Sequence, residues 1–315
     1  MEVRKLIKFG NSSHVISIPN VWLKKNNLNK GDVIYFEENG NNELVLTPQI
    51  KEKKEETKEV IIDTTNKTLH SVKREIVSAY VNNNRVIKII GKDINEISSE
   101  LREFIHNLLA VEIIEETQNK LIARDFLNVK TLSTMNIIRR MDIVIRSMLL
   151  DAKDVLKKEK IYDNIMNRDH DLNRLTILAF RSSRYYMENQ NNKENFSIVD
   201  YFKMWSVAES LEKIGDEIKR FARYLKKSTL SKNKLQDIID LYTKIGKVYI
   251  DTMSSLYKED KTLLFNQAAK RDVIMKEIED FLDNHYKTPC VPHILEKLKN
   301  LLNHTHSIIK VTTYN

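Results

Sequence analysis

The chain has 315 residues, more than one hydrophobic core ordinarily supports, so two or three domains are expected. Its 41% hydrophobic and 30% charged residues read as globular, and only 6 glycines and 4 prolines lean towards helix. The single cysteine, Cys290, excludes an internal disulfide framework and any cysteine-based zinc site, and fits a reducing cytosol. Fifty-two basic against 44 acidic residues leave a net charge of +8, which suits a polyanionic partner without requiring one. No charged–apolar–small leader opens the sequence, and no apolar run approaches the ~18 residues of a spanning helix. A cytoplasmic protein without membrane insertion is the expectation.

Residues 1–48 read as short strands at Val3–Lys8, His14–Ile18, Val33–Glu37 and Glu43–Thr47 around one helical piece, Val21–Asn26. Pro19 opens the helix, "NKGD" is a turn, and "NGNN" between alternating runs signals a hairpin, giving the order β-β-α-β-β. A piece this small buries too little surface to stand alone, so it should dimerise by interleaving strands. Its charge is lopsided. Arg4, Lys5, Lys8, Lys24 and Lys25 face only Glu2 in the first 25 residues, whereas Asp32, Glu37, Glu38 and Glu43 outnumber Lys30 afterwards. A two-fold dimer would present paired basic patches, the footprint of a duplex-DNA reader. Lysines that merely discourage edge-to-edge aggregation explain the same charges equally well.

Residues 49–58, "QIKEKKEETK", are polar, mixed in charge and without aromatics, and read as a linker. From 59 to 126, "EVIID" and "RVIKII" are each followed by amphipathic helical patterns, Leu69–Val81 and Ile94–Leu109, and then by "VEIIEE" and "KLIARD". This βαβαββ order predicts a small α/β domain, a sheet covered by helices. Gly91 stands alone, so no glycine-rich phosphate loop is present.

From 127 to 315 the pattern is helical. Ile138, Met141, Ile145, Met148, Ala152 and Val155 mark one buried face, and breaks near 158–162, 189–197, 228–233, 258–262 and 286–292 divide the region into six helices. Aligning Asp151 with Asp251 and Asp169 with Asp272 suggests a duplicated three-helix unit. In "WSVAESLEKIGDEIKRFARYL", Glu212 and Asp216 share a helical face, with Glu209 one turn earlier. Like-charged pairs cost ~0.2–0.5 kcal/mol on a plain surface helix. Oxygen ligation of a cation would reverse that cost. The plainer reading has Glu209–Lys213 and Asp216–Arg220 as ordinary i,i+4 ion pairs, and on physical grounds it is the stronger one. No nucleophilic triad is visible. "EFIH", with Glu103 and His106, lacks the second Glu-x-x-His that a di-iron bundle needs, and His304 and His306 would point apart on a helix. A catalytic role is not expected.

Taken together, residues 1–48, with an R-K-x-x-K-x-G start, an S-I-P strand end, a tryptophan-bearing helix and an L-x-x-G-D turn, resemble the SpoVT/AbrB superfamily of swapped-hairpin DNA-binding domains. The resemblance implies an intertwined dimer whose DNA face carries Arg4, Lys5, Lys8, Asn11, Ser12, Ser13 and His14. Lysines would hold phosphates, and Asn, Ser and His would reach bases or phosphate oxygens. The superfamily also contains antitoxins.

Residues 127–315 resemble the PhoU family of phosphate-uptake regulators: "LEKIGDE" fits its L-E-R-I-x-D-H helices, and "RSMLLDA" and "RDHDLNRL" fit the other helices of the first repeat. The resemblance implies a divalent, iron or zinc ion held by Asp151, Asp169, Glu212 and Asp216. Departures stand against it: Ser147 and Asn173 replace acids, and in the second repeat Lys299 and Asn303 occupy the Glu and Asp positions, leaving Asp251 and Asp272. The whole order is similar to a group of archaeal proteins with this fusion.

The expected fold is therefore multidomain α+β: a dimeric swapped-hairpin β-barrel head (1–48), a linker (49–58), a small α/β domain (59–126) and an all-α PhoU-like body of two three-helix repeats (127–315). The expected function is a homodimeric transcriptional regulator that binds double-stranded DNA and is linked to phosphate uptake. Rival readings are an adaptor for a phosphate transporter ATPase or sensor kinase, and an antitoxin.

Overall fold

The computed structural model of the chain describes residues 3–38, 43–48, 58–92, 94–158, 160–189 and 196–313, and divides into two compact units, Met1–Glu56 and Thr57–Asn315. The hairpin turn expected at 39–42 and residues 49–57 of the expected linker lie outside the described residues.

In the first unit, β1 (Ile7–Phe9) pairs antiparallel with β2 (Ser13–Val15), and β3 (Tyr35–Glu38) pairs antiparallel with β4 (Leu44–Thr47) as a separate sheet. Between the hairpins runs α1 (Asn20–Lys25). Pro19 starts it: its φ of −59° is already near helical, and its carbonyl accepts from Trp22 N–H at 3.0 Å and Leu23 N–H at 3.1 Å. The expected β-β-α-β-β order is observed. Among the described residues of this unit none is buried, and Phe9 is 70% exposed.

The second unit begins with a four-stranded sheet in the order β5-β6-β8-β7, from β5 (Glu59–Asp63), β6 (Val86–Ile90), β7 (Val111–Thr117) and β8 (Lys120–Asp125). Strands β5 and β6 are parallel and joined through α2 (Leu69–Val81), while the other pairings are antiparallel. Helix α3 (Ile94–His106) joins β6 to β7. Ile62, Val72, Ile76, Ile87, Ile89 and Leu101 form the core between sheet and helices. Gly91 serves packing: a Cβ there would lie 1.9 Å from Thr64 Oγ1, beside the hydrogen bond from Thr64 N–H to the Ile90 carbonyl.

Six helices follow: α4 (Thr134–Lys153), α5 (Lys160–Glu188), α6 (Ile198–Lys227), α7 (Lys232–Lys258), α8 (Lys261–His285) and α9 (Val291–Thr313). Ser133 caps α4, Ser197 and Asp200 form a capping box at α6, and Asp260 caps α8. Between α7 and α8 only Glu259 and Asp260 intervene, and Glu259 takes the left-handed conformation that ends α7. Helices α4–α6 pack on one another, as do α7–α9, and α6 against α9 is the main seam between the two triplets. The face expected on α4 is buried throughout: Ile138, Met141, Ile145, Met148 and Ala152 all belong to the core. A second tie is polar. Buried Asp142 of α4 accepts from the Tyr249 hydroxyl at 2.7 Å and the Tyr257 hydroxyl at 3.1 Å, both on α7, and from Arg146 Nε at 2.9 Å.

The α/β layer is held to the bundle through Arg181 of α5, which is 1% exposed. Its Nη2 donates to Asp125 at the end of β8, and its Nε donates to Asn83 Oδ1 at 2.8 Å. The guanidinium also lies 4.2 Å over the Tyr80 ring. Asp125 is completed by the Leu127 N–H, which donates to Oδ1 at 2.9 Å, and Arg174 Nε donates to the Asn107 carbonyl at 3.2 Å nearby. Removing one partner of such a pair leaves an uncompensated buried charge, at a cost of about 3–5 kcal/mol. Arg181→Met should lower unfolding stability by about that much in urea denaturation of the full chain, whereas a loss under about 1 kcal/mol would show that the pair does not hold the layers together.

Candidate functional site

The β1–β2 hairpin has two distinct faces. Ile7 stands opposite Val15 and Lys8 opposite His14, so strand alternation puts Ile7, Phe9 and Val15 on one side and Lys8 and His14 together on the other. Gly10 turns the hairpin with φ +66°, followed by Asn11 and Ser12. Ser13 begins β2 opposite Phe9, on the apolar side. Arg4 and Lys5 precede β1 and are exposed, as are Lys8, Asn11, Ser12, Ser13 and His14. Lys24 and Lys25 close the last turn of α1, where the negative end of the helix favours cations. The hairpin thus offers a hydrogen-bonding tip beside a Lys–His pair, backed by an apolar face that water leaves unsatisfied.

The carboxylates of the bundle are arranged differently from the expectation. Lys219 Nζ of α6 lies between two of them, 2.7 Å from Asp169 Oδ2 of α5 and 2.6 Å from Asp216 Oδ1. Asp169 is buried, and Arg220 Nη2 also donates to Asp216, at 2.6 Å. Burial alone would lower the Lys219 pKa, but its bonds to Asp169 and Asp216 hold it above the ordinary lysine value. Glu212 is half-buried beside them, and burial, then the charges of Asp216 and Asp169, raise its pKa. Asp151 is taken by Arg168. In the second triplet Arg271 donates to Asn303 Oδ1 through Nη2 at 2.9 Å and Nε at 3.3 Å, and Lys270 lies 3.8 Å from Asp251. Asp272 pairs with its neighbour Arg271. Among the described residues no group of three or more His, Cys, Asp and Glu side chains is placed to hold a metal ion. Of the four expected ligands, Asp151, Asp169 and Asp216 are taken by arginine or lysine while Glu212 lies beside them, and the residues as placed do not fit that ion.

The plainer sequence reading is seen directly: Lys213 bonds Glu209 at 2.7 Å, and Arg220 bonds Asp216. Glu103 and His106 are exposed on α3, away from any partner set. Sequence reasoning missed Lys219, although its position three residues after Asp216 was a legible signal. It also missed Asp142 and Glu217. Glu217 is buried between α6 and α9, accepting from Arg220 Nη1 at 3.0 Å with Lys297 Nζ 3.9 Å away. Two cavities stand apart from these groups. One, of about 400 Å³, is walled by Met135, Ile138, Met204, Val207 and Leu264. The other, of about 360 Å³, lies where Val77 and Val81 of α2 face Ile177, Phe180 and Trp205 of the bundle.

Comparison with known proteins gives two matches. Residues 7–54 match the family described as antidote-toxin recognition MazE, bacterial antitoxin, which has the SpoVT/AbrB-like swapped-hairpin fold, and residues 138–225 match the PhoU domain. The second match runs along α4–α6, the first helical triplet. No curated protein and no solved structure matches the chain.

Burial raises the Glu217 pKa, against the opposing pull of Lys297 and Arg220. The folded chain therefore binds that proton more tightly than the unfolded chain. The corresponding stability is fully present below the ordinary glutamate value of about 4.3 and is lost as pH rises through the raised folded value. Glu217→Gln should flatten this part of the pH–stability curve, measured by thermal unfolding, and leave the protein at least as stable as wild type at neutral pH. A variant clearly less stable at neutral pH would show that the ion pair outweighs the burial cost.

Proposed function

The chain joins a MazE-type N-terminal region to a PhoU domain, and we propose that it is a homodimeric DNA-binding regulator linked to phosphate uptake. The observation that carries this reading is the first unit's lack of any buried described residue, combined with its two-faced hairpin. Ile7, Phe9 and Val15 need a covering surface, and a second copy of the same unit supplies one of matching shape and composition. Covering them would leave Lys8 and His14 outward on each copy. Arg4, Lys5 and Lys8 would neutralise phosphates, while Asn11, Ser12 and His14 lie at or beside the tip and could approach the duplex closely, with Ser13 on the covered side. In this reading residues 1–48 are the DNA-binding head, 49–58 the linker, and 59–126 with 127–315 the body. The body would bind a ligand or a protein of the phosphate-transport or sensing apparatus.

The mechanism is linkage. A partner that binds the body more tightly in one of two arrangements shifts the population between them, and with it the availability or spacing of the heads. No catalytic step is involved. One observation favours a second reading: the family matched by residues 7–54 is described by toxin recognition, so binding of a small toxin by the head is the antitoxin alternative. Co-purification of a small partner with the head, in place of DNA, would support it.

Replacing Lys5 and Lys8 by Glu removes about four phosphate contacts from a dimer. In fluorescence anisotropy with a duplex probe, the Lys5→Glu/Lys8→Glu protein should lose binding at moderate salt. Any residual binding should show a log K against log salt slope shallower by roughly 3–4. Unchanged affinity and slope would remove the DNA-binding reading.

A further inference from the structure

We infer that Lys219 is the resident cation of the bundle's carboxylate cluster, so that the helical body neither needs nor holds a metal ion there. Three neighbouring carboxylates would share only Arg220, on Asp216, if α6 carried a neutral residue at 219: Asp169 and Asp216, which Lys219 Nζ bonds at 2.7 and 2.6 Å, and the nearby Glu212, whose charge both acids oppose. One ammonium placed between two carboxylates supplies the missing positive charge with directed hydrogen bonds, and its side chain is only 21% exposed. The fourth carboxylate, Asp151, is drawn away to Arg168. Helix α6 adds Arg220 on the outer oxygen of Asp216.

The second triplet repeats the arrangement by a different substitution. Asn303 stands where an acid was expected, and its side-chain oxygen accepts two hydrogen bonds from Arg271. Here a neutral amide oxygen meets a guanidinium, and the remaining acids Asp251 and Asp272 lie beside Lys270 and Arg271, whereas in the first triplet two acids share an ammonium. Both changes satisfy the oxygens from within the chain. A metal ion entering the first cluster would have to displace Lys219 and leave its ammonium part-buried without a partner, a cost that a free carboxylate cage does not carry. The inference is independent of DNA binding by the head and survives if that reading fails.

The test uses the full chain. Protein purified without chelator should contain no stoichiometric zinc, iron or manganese by mass spectrometry of the elements. Its melting temperature should not change on treatment with EDTA or on addition of zinc or manganese. Near-stoichiometric metal that disappears in Asp169→Asn, or a fall in melting temperature with EDTA, overturns the inference. Lys219→Met should lower the melting temperature by about 5 °C or more in EDTA, and adding Asp169→Asn to it should recover part of that loss, because one uncompensated carboxylate is removed. A Lys219→Met protein as stable as wild type, or a double variant that recovers nothing, also overturns it. Should Lys219→Met fail to fold, the wild-type metal content and EDTA response decide.

Discussion

Burial of Arg181 is the constraint around which the second unit is organised. A guanidinium that is 1% exposed has to be met by a carboxylate and by hydrogen-bond acceptors in fixed places, because its charge cannot be shed. Asp125 at the end of β8, Asn83 after α2 and the Tyr80 face meet it, and all three belong to the α/β layer while Arg181 belongs to the bundle. A slip of either layer would break every one of these contacts at once. The α/β layer and the six helices consequently behave as one body, consistent with their forming a single compact unit. The same logic recurs inside the bundle. Asp142 draws two tyrosines and an arginine to it, and Asp169 and Asp216 share Lys219. Buried Asp142 and Asp169 are thus each met by a partner on another helix, which specifies how those helices pack as well as how strongly.

The first unit follows the opposite rule. It has strands, a helix and turns but no buried described residue, so its own chain does not satisfy the hydrophobic surface it presents. A unit built this way gains stability when a second surface covers it, and in the proposed function that surface is a second copy. That asymmetry suits a regulator in which heads assemble on a duplex and a rigid body carries the signal. For the signal to matter, an effector has to bind the body unequally in two arrangements. The two cavities, one lined by the first turns of α4 and α6 with Asp200, Lys203, Glu259 and Lys261 among its walls and one between α2 and the bundle, are where packing leaves room for such a difference.

Much of this was legible in the sequence, and the reasons are physical. Amphipathic periodicity located the six helices because each has one continuous buried stripe, as with Ile138, Met141 and Ile145. Pro19 and the "EVIID" and "RVIKII" runs marked α1, β5 and β6 because proline geometry and β-branched packing act locally. What escaped were contacts between residues far apart in the chain. Arg181 and Asp125 are separated by 56 positions, and nothing local in either marks the other. The metal site was an implication of the PhoU resemblance, whereas spacing favoured ion pairs, because spacing shows which acids share a helical face but not which cation from another part of the chain reaches them. Asp169 and Asp216 do come together, but around a lysine.

The central claim is that the head reads DNA under control of a phosphate-linked body. Genome-wide occupancy of the wild-type chain, measured by chromatin immunoprecipitation in cells grown at high and at low phosphate, tests it most directly. The account predicts discrete bound sites whose occupancy differs between the two conditions. Enrichment no greater than for the Lys5→Glu/Lys8→Glu protein, or identical occupancy at both phosphate levels, would contradict it.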